Sequence, residues 1–201
     1  MHQAGRASWQ ISTDQPQPLV IGLFIRDVAG VPSRNSWLPP TSPMVPRADD
    51  QAPEAAGLQW DDWWNRALRE ERQVDNGNWP PDLSSWWTPP AFESLHAAPE
   101  LQAIVAANFF DAVRWSNARH QEHGATIQST VGALFETRLV RNMERARARK
   151  AQPFHLRITE IPVQGQQIWQ FHPDHVLVTA ALLRDTAQYR QRLIPVVEAL
   201  F

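Results

Sequence analysis

The chain contains no cysteine, which removes disulfide frameworks, thiolate zinc sites, iron–sulfur clusters and a cysteine nucleophile together. Glycine is scarce, eight among 201 residues, and none of it clusters into a phosphate-cradling loop or a dinucleotide-binding turn; a G-x-S-x-G elbow is also missing. No cofactor is therefore expected. Lysine is nearly absent, Lys150 standing alone beside eighteen arginines, a skew in keeping with a GC-rich coding sequence. Neither charge sign dominates: the formal charge of −2 gives no global reason to expect nucleic acid or a membrane surface as partner, so a basic site would have to be a local patch. No apolar run approaches the roughly eighteen residues of a membrane span, and MHQAGRASWQ lacks a basic segment followed by an apolar stretch. The expectation is a cytoplasmic protein.

What is present has a globular balance, 43% apolar and 20% charged, in a length that suits one ordinary domain without staples. Residues 1–18 are polar and without period, and are expected as a loose tail or an edge segment ahead of a single domain over 19–201. The central stretch is Pro99–His123, in which Leu101, Ile104, Val105, Phe109, Ala112, Val113 and Trp115 recur at helical spacing and Phe110 widens the apolar stripe. Gly124 is the expected stop, and Thr126–Lys150 the next helix, antiparallel to the first. Leu58–Arg72 is the clearest amphipathic segment, with Trp60, Trp63, Trp64, Ala67 and Leu68 on one face and Asp61, Asp62, Arg66 and Glu70 on the other.

Strands are read at three places. Leu19–Ile25, LVIGLFI, is a continuous apolar run of strand length. Phe154, Leu156 and Ile158 alternate with His155, Arg157 and Thr159, which predicts one dry and one wet face, and Ile168–His172 is expected to return as the second arm of a hairpin. Pro173-Asp174 then reads as the start of a helix, and Asp185 as the cap of a last one interrupted by Pro195. The predicted class is α+β: a small, three-stranded, mostly antiparallel sheet, with a strand near 19–26 and a hairpin over 153–172, packed with a long antiparallel helix pair.

The unusual feature is ten tryptophans. Those of 58–72 have the spacing of a core stripe, whereas Trp37, Trp79, Trp86 and Trp87 lie in two proline-punctuated segments, 31–57 and 74–93, where large aromatic faces serve either as loop anchors or as a partner-binding wall. Trp37, Leu38, Met44 and Val45 are the expected points at which the first segment is pinned. Arg138, Arg141, Arg145 and Arg149 recur at near-helical spacing and form a basic patch, read as a solvated face or as an anion site. His172, Asp174 and His175, with His120 and His123, are residue types suited to a metal, but two histidines three apart without a further ligand do not make a centre, and no metal or catalytic residue is assigned. The expected function is a non-catalytic interaction module of the immunity, adaptor or assembly-factor type that binds a protein partner through the Pro/Trp-rich surface. The alternatives are an enzyme using the His172/Asp174/His175 region and nucleic-acid association through Arg138–Lys150.

Overall fold

A computed structural model of the chain describes residues 9–48, 51–73, 87–129 and 135–201. In chain order the elements are β1 (Gln10–Asp14), α1 (Gln17–Val28), α2 (Glu54–Gln73), a 3-10 turn (Glu93–Leu95), α3 (Pro99–Ser129), α4 (Phe135–Ala146), β2 (His155–Ile161), β3 (Ile168–His172), β4 (His175–Thr179), α5 (Ala180–Arg184) and α6 (Thr186–Ala199). The class is α+β, with six α-helices and a mixed four-stranded sheet among the described residues. None of the described helices is long and apolar enough to cross a membrane. Contacts gather into two compact units: Gln15–Glu122 with Ile161–Gly165, and Met1–Asp14 with His123–Glu160 and Gln166–Phe201. We refer to them as the aromatic unit and the sheet unit.

In the aromatic unit, Leu19–Ile25 is helix α1 and not a strand. Every residue from Pro18 to Arg26 is buried, so the run is apolar all round, and a helix covered on all sides carries no period by which to tell it from a buried strand. Pro18 sits in the first helical turn, where its missing N–H costs nothing. Helix α2 bears out the amphipathic reading: Trp60, Trp63, Trp64, Ala67 and Leu68 are all at most 2% exposed. Gly22 permits the close approach of α1 and α2, since a Cβ there would lie 2.2 Å from the Trp63 ring. At the same point the Trp60 indole N–H donates to the Gly22 carbonyl at 2.9 Å.

Helix α3 buries Leu101, Val105, Ala112, Ser116 and His123, which is a narrower stripe than the sequence predicts. Phe110, expected to widen that stripe, is 71% exposed. Nor does the helix stop at Gly124; it continues to Ser129, and nothing lies within 4 Å of the position a Cβ would take at Gly124. The next helix correspondingly occupies Phe135–Ala146 and not the full span to Lys150.

The sheet unit differs most from expectation. Its strand order is β1-β2-β4-β3, with β1 parallel to β2 from Gln10↔His155 to Asp14↔Thr159. Residues 10–14, inside the stretch expected as a loose tail or an edge segment, are therefore an edge strand. The predicted hairpin of β2 with β3 is not formed: β3 pairs antiparallel with β4, Trp169 opposite Leu177 and His172 opposite His175, and β4 lies between β2 and β3. His175–Thr179, HVLVT, was expected as helix. Three of its five residues are β-branched or aromatic, and all five are buried, which a pleated interior strand accommodates better than a helical turn.

Strand β2 has no wet face. Arg157, Thr159 and Glu160 are buried along with Leu156, Ile158 and Ile161. One face closes a core of Leu156, Ile158, Val176 and Val178 against Leu139, Val140 and Met143 of α4 and Leu193 and Val197 of α6. Thr179 caps α5 through a bond from the Leu182 N–H at 3.2 Å. Asp185 caps α6, accepting from the Gln188 N–H at 3.1 Å as its position predicts.

Candidate interaction surface

The described residues between Val31 and Pro53 carry no helix or strand beyond a single bridge, Thr41 opposite Val163, so the backbone polar groups of this loop must be satisfied otherwise. Two charged sites on helices do much of this. At the end of α1, Arg26 pairs with Asp27 at 2.5 Å and donates to the carbonyls of Leu38 at 3.3 Å and Pro39 at 2.7 Å, while Asp27 accepts from the Thr41 N–H at 2.5 Å. On α2, Asp61 accepts from the Ser33 hydroxyl at 2.5 Å, the Arg34 N–H at 2.8 Å and the Asn35 amide at 2.8 Å. Ala48 and Ala52 donate back to the carbonyls of Val28 and Ala29.

The sequence reading placed Asp61 on a solvated helix face. It is instead 9% exposed, and its three donors all come from the loop. The signal was its place beside the tryptophan stripe, with Ser33 and Asn35 upstream, but a partner nearly thirty residues away leaves no periodicity.

Of the four expected pins, Leu38 and Val45 are buried, at 6% and 8%, whereas Trp37 is 37% and Met44 74% exposed. Trp37 is nonetheless oriented. Its indole N–H donates to the Asn35 side chain at 3.3 Å, and Asn35 is itself bonded to Asp61, so a chain of hydrogen bonds runs from α2 to an outward-facing indole. Beside Met44 an open cleft of about 250 Å³ is lined by Arg26, Val31, Pro40, Val45 and Arg47.

Trp87, proposed for the same surface, is placed differently. It is 4% exposed, its ring centroid is 4.7 Å from that of Trp63, and its N–H donates to the Pro18 carbonyl at 3.2 Å. It anchors the segment that carries it. Trp79 and Trp86 lie outside the described residues.

The basic residues Arg138, Arg141 and Arg145 are exposed on α4, but the helix ends at Ala146, so Arg149 does not continue their row; it bonds the Phe201 carbonyl at 3.0 Å. Glu144, close to these arginines in sequence, accepts from Lys150 at 3.0 Å and from the Ala151 N–H at 3.1 Å, and the Lys150 hydrogen bond is the chief cause of its lowered pKa. Glu136 is half-buried. Burial raises its carboxyl above the ordinary range, the Tyr189 hydroxyl donates to it at 3.1 Å, and burial together with that carboxylate pushes the phenol well up.

The histidines do not converge. His172 pairs with Asp174 at the β3–β4 turn, so Asp174 is a turn residue and not a helix cap. His175 is fully buried and shares a hydrogen bond with Thr159 at 2.9 Å. His123, also buried, pairs with Glu160, a contact between α3 and β2 that the sequence did not predict, while His120 is exposed. Among the described residues no group of three or more histidines and carboxylates is placed to hold a metal ion.

No protein-family model, no curated protein and no solved structure matches the chain.

Proposed function

We propose that the chain is a non-catalytic protein-interaction module, of the adaptor, immunity or assembly-factor kind, that offers the loop ahead of α2 to a protein partner. A cytoplasmic setting belongs to the same proposal. The observation that carries it is Trp37: a large indole held outward by Asn35 and, through it, by Asp61. An aromatic side chain fixed before contact loses little rotamer freedom on binding, which is the character of an interface anchor. Met44 and the cleft beside it extend the apolar area, and the Arg26–Asp27 site holds the loop in shape without help from a partner.

The test is recovery of the tagged chain from its own host under gentle conditions, followed by native mass spectrometry. A companion protein in fixed stoichiometry is expected. Replacing Trp37 and Met44 together with Ala should weaken that companion at least thirtyfold, about 2 kcal/mol for the loss of an anchor, with an unchanged circular dichroism spectrum. A chain recovered bare, or a folded double variant that keeps its companion, refutes the reading.

A further inference from the structure

The sheet unit carries eleven Lys and Arg against seven Asp and Glu, net +4, while the aromatic unit carries eight against fourteen, net −6. The overall charge of −2 hides this segregation. Within the sheet unit the excess gathers on α4. Arg138, Arg141 and Arg145 recur at i, i+3 and i+7, so they share one face over about 10 Å of helix, and all three are exposed.

None of them forms an ion pair among the described residues; Arg145 bonds only the neutral Asn142, at 2.7 Å. Of the two glutamates of α4, Glu136 bonds Tyr189, and Glu144 bonds Lys150 and the Ala151 N–H while also attracting Arg141 through space. Tertiary structure adds cations at both ends of the row. Arg190 of α6 lies 4.8 Å from the ring centroid of Phe135, one turn before Arg138; Arg147 and Arg149 lie 4.9 and 5.5 Å from that of Phe201, Arg147 also pairing with Glu198 at 3.9 Å.

We propose that this face of α4 binds the phosphate backbone of a nucleic-acid duplex. Guanidinium forks suit phosphate oxygens, and the rise from Arg138 to Arg145 matches about three base-pair steps, each roughly 3.4 Å of duplex axis. Single strands are disfavoured because base stacking needs exposed rings, and none of the exposed large apolar side chains lies on α4. The same lack argues against an acidic protein as the occupant, since protein interfaces are built around buried aromatic or aliphatic anchors. The binding is electrostatic and independent of base sequence, and it does not rest on the Trp37 proposal.

Fluorescence anisotropy with a labelled 20-base-pair duplex, titrated with the full chain between 50 and 200 mM KCl, tests it. Three phosphate contacts predict a log–log salt slope near −3 and an affinity that falls roughly fortyfold over that range. The triple variant R138A/R141A/R145A should bind at least tenfold more weakly at 50 mM with its circular dichroism unchanged, whereas Arg114→Ala on α3 should bind as the parent does. The proposal is overturned by absence of saturable binding at 50 mM, by a slope shallower than −1, by parent-like affinity in the triple variant, or by an equal loss in Arg114→Ala. Tighter binding of a single strand, or of a polyglutamate peptide, overturns it in favour of those ligands.

Discussion

In the aromatic unit the indoles of Trp60, Trp63, Trp64 and Trp87 fill the space beside α1, and two of them donate to α1 carbonyls, of Gly22 and of Pro18. The sheet unit is closed by aliphatic side chains of β2, β4, α4 and α6, and it buries polar pairs, Thr159 with His175 and His123 with Glu160. Large rigid rings bury much area per residue but tolerate only a small neighbour, hence Gly22. Aliphatic packing is more forgiving of shape, so in the sheet unit the demanding contacts are polar: each buried donor or acceptor needs its partner.

The largest effect should come from the aromatic side. Trp60→Ala removes an indole that stacks 5.1 Å from Trp64 and a hydrogen bond to α1, and should cost about 3–5 kcal/mol in urea unfolding; a loss below about 1 kcal/mol would mean that the indoles are not the principal packing of that unit. Asp61→Ala comes next. It leaves three loop donors without their acceptor and should cost about 2–3 kcal/mol, with faster amide exchange at Arg34. Unchanged exchange there would show that the loop is held without α2.

The smallest effect tests the polar demands of the sheet unit. The carboxyl of Glu136 is raised in the folded chain, so as pH climbs through the ordinary carboxylate value the unfolded chain gives up its proton first and stability falls. Glu136→Gln cannot ionise and keeps an acceptor for Tyr189. Its urea midpoint should exceed the parent's at pH 7, and the gain should vanish at pH 3.5, where both states of the parent are protonated. A gain that persists at low pH would point to packing as its source and not to charge.

The parts of the fold legible in the sequence are those whose cause is local. The stripe of α2 follows from spacing, and the α6 cap from an Asp before a helical run. The interaction surface was half legible: Trp37 was singled out by its proline-rich setting, but Trp87, in a similar setting, is core, and nothing in either neighbourhood separates them. Met44 was expected as an anchor and faces solvent, because which side of an irregular loop meets the body depends on where Arg26, Asp27 and Asp61 hold it.

By itself the sequence determined the class of the protein, the amphipathic helices and the absence of thiol and glycine-loop chemistry, since periodicity and composition act through neighbouring residues. Only the tertiary structure decided that Leu19–Ile25 is a helix and His175–Thr179 an interior strand: segments buried on every side lose the polar–apolar alternation that reports conformation, and what they become depends on the partners that cover them. It likewise decided which carboxylates are occupied. Glu136, Glu144 and Asp61 find their partners at separations of 53, 6 and 26–28 residues, and those engagements leave Arg138, Arg141 and Arg145 without a salt bridge among the described residues and Trp37 oriented.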